Sequence, residues 1–565
     1  MDQLKDKAKS AVQIRTNLTN WEEEMKKIIL LLLVLTLSLS LFAACKTDTA
    51  NDEATDVVEA TEETTTKEAT SEETATEEPA KEISSEYVEW SLLMKEFGNA
   101  PTTQDQMFWQ KIEEIWNVKL ALEVAPATDF DTRVNLALAS DEVPNLIYGA
   151  NLSQYYSTGI VWDLKPYLET YAPNAYAMMT AQDDIWKNCQ TDDGGVFYLP
   201  SLYGNEYGAT YLFINHQVLK QVGLDVPTTT DEYYNALKVM QEANPDMYVT
   251  AGASQVGWTN ANKGYYYAFG TWPDWVHFEV GEYVYGPYER KDEMKACLTW
   301  LNMMYEEGIF DPEYMTIDNA TGTAKIANGE ALAVFGWGGS AVFETDEDGI
   351  YLKKDAYDAL VAADEQKFDV ISALIGPEGY QYSQFVGGMN GALSIMSSLE
   401  DIERALTVFD YWYTDEGIEL CNWGIEGETF TRNADGSKDF IPTVVKNLND
   451  GLRSNGFCQA NMLWVVDSVA KNYYAAIPYY EAVLKAASHN LVQNPSLTMT
   501  DDETEVYNQV GADLKTVIAE MIPKFITGEL NLEGDYDDYI ATLEDIGVQE
   551  YMDAVHSAYD RWMNR

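Results

Sequence analysis

The sequence predicts an α/β protein with two lobes, and three observations lead to this prediction. Strand and helix patterns alternate through residues 86–149, which favours a parallel sheet covered by helices. An aromatic segment at 201–215 is followed by a new helix-capping signal, which indicates the start of a second α/β lobe. Helical patterns predominate after Leu399, so we also expect a helix-rich C-terminal region.

The first lobe is predicted from strands and helices in strict alternation. Its helices have apolar residues at helical spacing, and its strands are short apolar runs bounded by turn residues. The strands are predicted at 86–94, 118–125 and 144–149, and the helices at 104–116 and 129–139. Ligands of parallel sheets bind where the carboxyl ends of the strands meet the following loops. The loop at 149–151 is such an end, and Asn151 is therefore a candidate for ligand binding.

The second lobe is predicted to begin after residues 201–215, which cross between the lobes and contain Tyr203 and Tyr207. Thr230 is predicted to cap a helix that has acidic residues in its first turn. Later elements are an amphipathic helix at 291–307, a helix end, glycine turn and buried strand at 326–337, strands at 368–375 and 391–396, and helices at 505–526 and 536–564. This order completes the second lobe and the helical region.

Residues 25–45, MKKIILLLLVLTLSLSLFAAC, have the pattern of a lipoprotein export signal. Two lysines precede a largely apolar run of 14 residues, 28–41, which is shorter than the roughly 20 residues of a membrane-spanning helix. Cleavage would leave Cys45 at the new N-terminus, where its thiol can carry lipid. The usual leucine three residues before the cysteine is replaced by Phe42. Residues 1–24 are polar, so we expect translation to start at Met25.

Residues 45–85 are predicted to be a disordered, lipid-anchored tether. Residues 46–85 are rich in Thr, Glu and Ala, contain no aromatic residue, and carry 13 acids against 3 lysines. Such a segment has little to bury and repels itself. We therefore expect export to the outer face of the cytoplasmic membrane, with a globular head at 86–565.

Composition excludes several function classes. The chain has a formal net charge of −57, from 36 Lys plus Arg and 93 Asp plus Glu, which argues against nucleic acid or an anionic lipid surface as a partner. Cys189, Cys297, Cys421 and Cys458 are widely spaced and suggest no zinc or redox motif, but either buried free thiols or two disulfides fit them. The acidic turns at 346–349 and 433–439 lack the spacing of a calcium loop. We expect no cofactor and no metal.

Three stretches resemble the extracellular solute-binding proteins of ABC importers, in particular the large lipoprotein subgroup for oligosaccharide uptake. They are VLKQVGLDVPTTTDEYYNAL at 218–237, DEGIELCNWGIEGETF at 415–430 and FITGELNLEGDYDDYIATLEDIGVQEYMDAVHSAYDRW at 525–562. The segment IANGEALAVF at 326–335 is also similar to that family. The resemblance implies a periplasmic-binding-protein-like type II fold whose lobes close over a ligand.

The resemblance also implies the organisation and the partners. We expect an N-lobe at about 86–205 plus 376–400, a C-lobe at about 206–375, and C-terminal helices at 401–565 shared between them. The expected partners are an oligosaccharide and the transmembrane subunits of an ABC permease, with the protein a monomer and not an enzyme. A peptide or another small solute remains an alternative ligand, and a surface-anchored glycoside hydrolase with two facing carboxylates is an alternative class.

The candidate site combines aromatic rings with polar groups, because a sugar presents a C–H face and a rim of hydroxyls. The candidate rings are Trp337, Trp258, Trp272, Trp275, Trp423, Tyr203 and Tyr207, and the candidate polar groups are Asn151, Asn390 and Asp274. Trp337 is the strongest candidate, since it ends a predicted buried strand and two glycines follow it. Core packing is the competing interpretation for each ring, and a turn role is the competing interpretation for each Asn or Asp.

Overall fold

A computed structural model of the chain describes residues 85–96, 101–140, 142–203, 210–252, 256–337, 354–371, 373–384, 388–445, 451–458, 465, 489 and 491–565. The chain divides into two compact units, residues 1–80 and 81–565, and every described residue belongs to the second unit. The predicted export signal, Cys45 and the tether up to residue 84 therefore lie outside the described residues, as do Tyr207 and the acidic turn at 346–349.

The N-lobe is built on a five-stranded sheet with the order β2-β1-β3-β11-β4. Its strands are β1 (Val88–Lys95), β2 (Val118–Ala125), β3 (Leu146–Tyr148), β4 (Leu199–Tyr203) and β11 (Gly388–Ile395). β1 is parallel to β2 and to β3, which confirms the parallel arrangement predicted from residues 86–149. β11 is antiparallel to both β3 and β4, between which it lies.

The C-lobe is built on a four-stranded sheet with the order β10-β5-β9-β6. Its strands are β5 (Thr210–Asn215), β6 (Tyr248–Ala251), β9 (Ala331–Trp337) and β10 (Phe368–Ile371). β5 is antiparallel to β9 and β10, whereas β6 is parallel to β9. Two hairpins complete the strands, β7 (Trp275–Glu279) with β8 (Glu282–Tyr285) and β12 (Phe430–Arg432) with β13 (Lys438–Phe440).

The helices fall into groups that follow these sheets along the chain. In the N-lobe sequence they are α1 (Met107–Trp116), α2 (Phe130–Leu138), α3 (Lys165–Tyr171), α4 (Pro173–Thr180) and α5 (Asp183–Cys189). In the C-lobe sequence they are α6 (His216–Val222), α7 (Thr230–Ala243), α8 (Gly257–Asn260), α9 (Lys263–Ala268), α10 (Gly286–Glu289), α11 (Lys291–Glu306), α12 (Asn319–Ala327) and α13 (Lys354–Ala363). The later helices are α14 (Ile402–Asp410), α15 (Asp415–Trp423), α16 (Asp501–Thr527), α17 (Tyr536–Ile546) and α18 (Val548–Met563).

Two hydrophobic cores give the protein its two lobes. Buried residues of α14 and α15, such as Phe409 and Leu420, join the core of the five-stranded sheet. Buried residues of α16 and α18, such as Ile522 and Val555, join the core of the four-stranded sheet. The predicted two-lobed α/β fold with a helix-rich C-terminal region is therefore confirmed.

Two local predictions need correction. The N-cap of α7 is Thr229 rather than Thr230, because the Thr229 hydroxyl accepts from the Glu232 N–H and the Glu232 carboxylate accepts from the Thr229 N–H. The predicted helix at 536–564 is two helices, because Gly547 has a φ of 107° and ends α17.

No disulfide joins the cysteines of the described residues. Cys189, Cys297, Cys421 and Cys458 are all buried. Burial raises the pKa of the Cys189 thiol, whose Sγ lies 3.2 Å from the Met389 Sδ. These thiols act as small apolar core groups.

Candidate functional site

The chain enters the C-lobe sheet from the N-lobe at one end of its strands, which we call the crossover edge. β5 begins there with Thr210, which pairs with Trp337, the last residue of β9. β6 runs parallel to β9 and also ends at this edge, with Ala251 paired to Phe335. The loops that follow β6 and β9 therefore leave the sheet beside the crossover.

The matching edge of the N-lobe sheet gathers the carboxyl ends of its parallel strands. Met94 pairs with both Val124 and Tyr148, so β1, β2 and β3 end together. Tyr203, the last residue of β4, pairs with Gly388, the first residue of β11. The chain leaves the N-lobe and returns to it at this edge.

We call the space between the two edges the cleft, because one short connection joins them. Seven residue steps separate Tyr203 from Thr210, and a fully extended chain of that length spans at most about 25 Å. The carboxyl ends of the parallel strands are also where α/β sheets bind ligands. The cleft between the edges is therefore the candidate site.

Five predicted site residues belong to these edges or to the loops that follow them. Their backbones lie at the end of β4, at the end of β9, in β11, after β3 and after β6; they are Tyr203, Trp337, Asn390, Asn151 and Trp258. Asn390 lies where the register of β11 against β4 shifts, between Met389 and Ala392. Such irregularities often lie beside binding sites.

A cation and an indole ring lie close together on the C-lobe side, and a second indole ring stands five residues before the cation in the sequence. Trp258 in α8 and Trp272 after α9 are both half-buried and pack against the C-lobe core. The Lys263 ammonium, at the start of α9, lies 5.8 Å from the centre of the Trp272 ring. We call Trp258, Lys263 and Trp272 the aromatic corner.

The family of the chain follows from its sequence match. Residues 99–418 match the family model for the bacterial extracellular solute-binding protein. The chain belongs to this family. The match includes every strand of the C-lobe sheet and every strand of the N-lobe sheet except β1, so the two lobes are those of a solute-binding protein.

Three relatives show how far the similarity extends. The lipoprotein LipO of Bacillus subtilis is 24% identical over 79% of this chain and 88% of its own length. The fructooligosaccharide substrate-binding protein FusA of Streptococcus pneumoniae is 21% identical over 77% and 83%. The polygalacturonan/rhamnogalacturonan-binding protein YtcQ of Bacillus subtilis is 22% identical over 80% and 88%.

A solved structure supports the fold independently of sequence. The structure of FusA in complex with kestose matches with a TM-score of 0.66, and the match covers 84% of this chain and all of that chain. The sequence identity of 19% is low, so this similarity concerns the fold.

Trp275 and Trp423 are core residues, so their prediction as ligand-binding rings is wrong. Trp275 is 6% exposed, stacks on Tyr283, and donates its indole N–H to the Tyr551 hydroxyl at 3.1 Å. Trp423 is 1% exposed and stacks on Phe440 with 4.7 Å between ring centres. Protein atoms cover both rings, which leaves no face for a sugar.

Asn151 and Asp274 have the turn and packing roles that competed with ligand binding. The Asn151 side-chain oxygen accepts from the Ser153 N–H at 3.1 Å, at the start of the short 3-10 helix Ser153–Thr158. The Asp274 carboxylate accepts from the Trp275 N–H at 2.9 Å. Burial raises the pKa of Asp274, and Lys515 of α16 partly opposes this effect. Asp274 therefore faces the last helices rather than the cleft edge.

An interlobe clasp joins α18 of the C-lobe to α5 and the loop after it in the N-lobe. The Trp562 indole N–H donates to the Asn188 side-chain oxygen at 2.9 Å, and the Lys187 ammonium donates to the Met563 carbonyl at 3.0 Å. Arg565 donates to the Asp192 carboxylate at 2.7 Å and to three backbone carbonyls. We call Lys187, Asn188, Asp192, Arg561, Trp562 and Arg565 the interlobe clasp.

Arg561 extends the clasp to the start of α16. Its guanidinium donates to Asp192 at 2.7 Å and to the Glu503 carboxylate at 2.8 Å. The bond from Arg561 lowers the pKa of Glu503 to about 2. Charge-assisted bonds of this kind are among the strongest polar contacts in a protein.

A second link between the lobes lies at Gln493. Its side chain bonds both the N–H and the carbonyl of Met389 in β11. Its own carbonyl accepts from Nδ1 of His277 in β7 at 2.8 Å, and Nε2 of His277 lies 2.9 Å from the Tyr559 hydroxyl. Burial lowers the pKa of His277, so this imidazole is neutral at pH 7.

The residues that sequence reasoning missed carry no local pattern. Lys263 stands among tyrosines and tryptophans in the unusual segment 248–288, and this isolation in the sequence is the one available signal. The clasp residues of α5 and α18 are separated by more than 360 positions, and no spacing rule connects them.

No membrane helix and no metal cluster occurs in the part of the chain that the structure describes. None of these helices combines the length and apolar composition needed to cross a bilayer. No three His, Cys, Asp or Glu side chains among the described residues could hold an ion together. The acidic turn at 433–439 is closed by its own bonds, with Asn433 donating to Asp439 at 2.9 Å.

A separate cavity of about 290 Å³ lies at the opposite edge of the C-lobe sheet, where β6 and β9 begin. Its lining includes Asp246, Asp311, Glu313 and Glu330. Lys325 bonds the buried Asp311 at 2.8 Å, which partly neutralises these acids. The cavity is therefore distinct from the cleft.

Proposed function

We propose that the protein is a lipid-anchored, non-enzymatic binding protein that captures an oligosaccharide in the cleft and delivers it to an ABC permease. The observation that carries this proposal is the pair of sheet edges joined by the short connection between the lobes, with the half-buried Trp258 and Trp272 on the C-lobe side. Indole rings stack on the C–H face of a sugar, and cleft closure adds polar contacts from the other lobe.

The relatives support a carbohydrate ligand. FusA is named for fructooligosaccharides, and YtcQ is named for polygalacturonan and rhamnogalacturonan. These two ligand classes differ in charge but share the repeated sugar ring. A cleft that offers several rings to an extended ligand suits both classes.

The proposed contacts come from both sides of the cleft. On the C-lobe side they are Trp258, Trp272 and Trp337, and on the N-lobe side Tyr203 and Asn390, with Tyr207 in the connection between the lobes. Among these, Trp337 has the most central position, because β9 lies between β5 and β6.

Calorimetry on the purified protein with a broad panel of neutral and acidic oligosaccharides tests the proposal. We expect at least one oligosaccharide to bind and Trp337→Ala to raise its Kd about tenfold or more, since a central aromatic anchor commonly contributes about 2 kcal/mol. The unfolding midpoint of the variant should stay close to that of the parent protein, which separates lost contact from lost fold.

Two other outcomes would assign the protein to another class. A peptide library that raises the unfolding midpoint when no glycan does so would make the ligand a peptide. Release of shortened sugars during the incubation would make the protein a glycoside hydrolase.

The anchor is proposed from the sequence and from the name of the relative LipO. Cys45 is the proposed lipidation site, because it follows the apolar run and two alanines. Cys45→Ala should move the protein from the membrane fraction to the medium and leave ligand affinity unchanged. Retention of the variant in the membrane fraction would exclude Cys45 as the anchor.

A further inference from the structure

Gln493 bonds one lobe with its main chain and the other lobe with its side chain. Its carbonyl accepts from Nδ1 of His277 in β7 at 2.8 Å, and the neighbouring Val492 N–H donates to the His277 carbonyl at 3.1 Å. Its carboxamide bonds Met389 of β11 in the N-lobe. The amide oxygen accepts from the Met389 N–H at 3.2 Å, and the amide nitrogen donates to the Met389 carbonyl at 3.3 Å. The Gln493 side chain therefore connects Met389 to the C-lobe.

The imidazole of His277 holds the main chain of Gln493 to the C-lobe. The Gln493 carbonyl can only accept, so Nδ1 carries the proton. Nε2 then accepts from the Tyr559 hydroxyl at 2.9 Å, and this hydroxyl accepts from the Gly281 N–H at 2.9 Å. Loss of the bond to Gln493 would leave a buried ring N–H without an acceptor, which is costly. The main chain of Gln493 should therefore stay with the C-lobe when the lobes move.

Met389 lies in the part of β11 that extends past the end of β3. β3 pairs with β11 only through residues 393–395, and its last residue, Tyr148, lies at the N-lobe edge of the cleft. At Met389, β11 still pairs with β4 but has no partner in β3. The Gln493 carboxamide supplies one acceptor and one donor to the Met389 backbone, as a neighbouring strand would. Gln493 thus supports β11 at the edge of the cleft.

The backbone beside Met389 has a specific irregular shape. The register of β11 against β4 shifts between Met389 and Ala392, and we call the two residues between them, Asn390 and Gly391, the bulge. Gly391 has a φ of 84°, and an added Cβ would lie 2.4 Å from the Tyr148 hydroxyl, so a larger residue would be strained there. A bulge redirects the side chains it contains. The position of Met389 therefore sets the direction in which the candidate contact Asn390 projects.

We propose that Gln493 is a positioning residue for ligand capture, which couples the arrangement of the lobes to the bulge and thereby to a ligand contact at Asn390. This inference rests on the proposed function. When the bonds to Met389 are broken, the bulge loses its support, and the fraction of molecules that can bind a ligand falls. The measured Kd rises in proportion, because apparent affinity depends on the population of the competent form.

A double-mutant cycle tests the coupling by calorimetry. Kestose and trigalacturonate are tried first, and the tightest binder of the broad oligosaccharide panel serves as the probe. Gln493→Met keeps the length of the side chain and removes both bonds to Met389, so its Kd should rise about fivefold or more, the usual size of a coupling between sites. Asn390→Ala should also raise the Kd. The double variant should bind within about twofold of Asn390→Ala alone, because Gln493 acts through Asn390.

The chain offers a matched control in Gln241 of α7. Its carboxamide donates to the Gly308 carbonyl at 2.7 Å, both residues belong to the C-lobe, and Gln241 is half-buried like Gln493. Gln241→Met removes the same kind of bond within one lobe and should leave the Kd unchanged. Thermal unfolding of every variant shows whether it remains folded. If Gln493→Met unfolds, Gln493→Glu, which keeps the acceptor and loses the donor, replaces it in the cycle.

The remaining outcomes overturn the inference, and they differ from failure of the proposed function. An unchanged Kd for Gln493→Met, when the parent protein binds the probe, would exclude Gln493 from ligand capture. Additive effects of Gln493→Met and Asn390→Ala, or an unchanged Kd for Asn390→Ala, would exclude coupling through the bulge and leave oligosaccharide capture intact. Absence of binding to every oligosaccharide of the panel would contradict the proposed function as well.

Discussion

The aromatic corner and the interlobe clasp contain the same pair of groups in different surroundings. The Lys263 ammonium lies 5.8 Å from the centre of the Trp272 ring, and the Lys187 ammonium lies 5.6 Å from the centre of the Trp562 ring. In the clasp, Lys187 also donates to a backbone carbonyl, and Trp562 is 2% exposed with its indole N–H bonded. In the corner, Trp272 is half-buried and Lys263 has no carboxylate partner among the described residues.

This difference separates structural groups from groups available to a ligand. A polar group whose partners all come from the protein contributes to stability, and an added ligand gains little from it. A partly desolvated group without such a partner contributes little to the free protein and can contribute much to a complex. Substitutions in the clasp should therefore lower stability more than ligand affinity. Substitutions in the aromatic corner should lower ligand affinity more than stability.

The largest expected effect is on stability, from Trp562→Ala. This change removes a fully buried ring and one of the two donors to the Asn188 side-chain oxygen, the other being the Ser496 N–H, so we expect a loss of about 3–5 kcal/mol in the free energy of unfolding. Trp272→Ala, as the matched change in the half-buried corner, should cost clearly less. Chemical denaturation of both variants measures the difference, and equal losses would refute the comparison.

Arg565→Met should have the next largest effect. The substitution keeps the aliphatic stem but removes bonds to Asp192 and to three carbonyls, and the Arg565 side chain is 3% exposed. A hydrogen bond to a charged group contributes about 1.5–3 kcal/mol to stability. We expect a loss of this size in the free energy of unfolding. Arg432→Met is the control, because that guanidinium is 37% exposed and should lose about 1 kcal/mol or less.

Glu503→Gln should change how stability depends on pH. The pKa of Glu503 is about 2 in the fold, below the usual 4.5, so the ionised pair with Arg561 stabilises the protein above pH 4.5. This contribution is lost as the pH falls towards 2. The difference in unfolding free energy between parent and variant should be constant from pH 7 to about 5 and shrink below pH 4.5. Glu533→Gln, at an exposed position, should give no such difference.

The smallest stability effect distinguishes the two lysines. Lys187→Met removes an ion–carbonyl bond and should lower the free energy of unfolding by about 1 kcal/mol, with sugar affinity unchanged. Lys263→Met removes a desolvated charge and should leave stability equal or slightly higher. Thermal unfolding of the two variants in parallel tests this, and a larger loss for Lys263→Met would assign Lys263 to the structure.

The elements of the fold were predictable where local patterns determine them. The strand at 118–125 matches β2 at both ends, and the predicted helix end, turn and strand at 326–337 correspond to α12 and β9. Apolar periodicity and turn residues are short-range signals, and they suffice for such segments. The break at Gly547 was missed because apolar spacing continues through it.

The site was less predictable, because partners determine what a side chain does. Trp272 and Trp275 stand three residues apart in one aromatic segment, yet Trp275 is buried against Tyr551 of α18, whereas Trp272 is half-buried against Tyr266 and Tyr267. Nothing in the segment itself distinguishes them.

The clasp constrains how the cleft can close. It ties α5 to α18 through side chains that are largely buried, and Gln493 adds a second tie between β11 and β7. Lobe movement must therefore pivot about these contacts or break them.

The place of β11 in its sheet has a consequence for how the chain reaches this structure. β11 lies between β3 and β4, yet residues 204–387, which include all four C-lobe strands, separate it from β4 in the sequence. A nascent chain that ends before residue 388 leaves β3 and β4 without their shared neighbour. Contacts of such long sequence separation form late and slowly. The N-lobe thus completes its sheet only after the C-lobe sequence has been synthesised. The N-lobe therefore cannot finish folding before the C-lobe sequence is present.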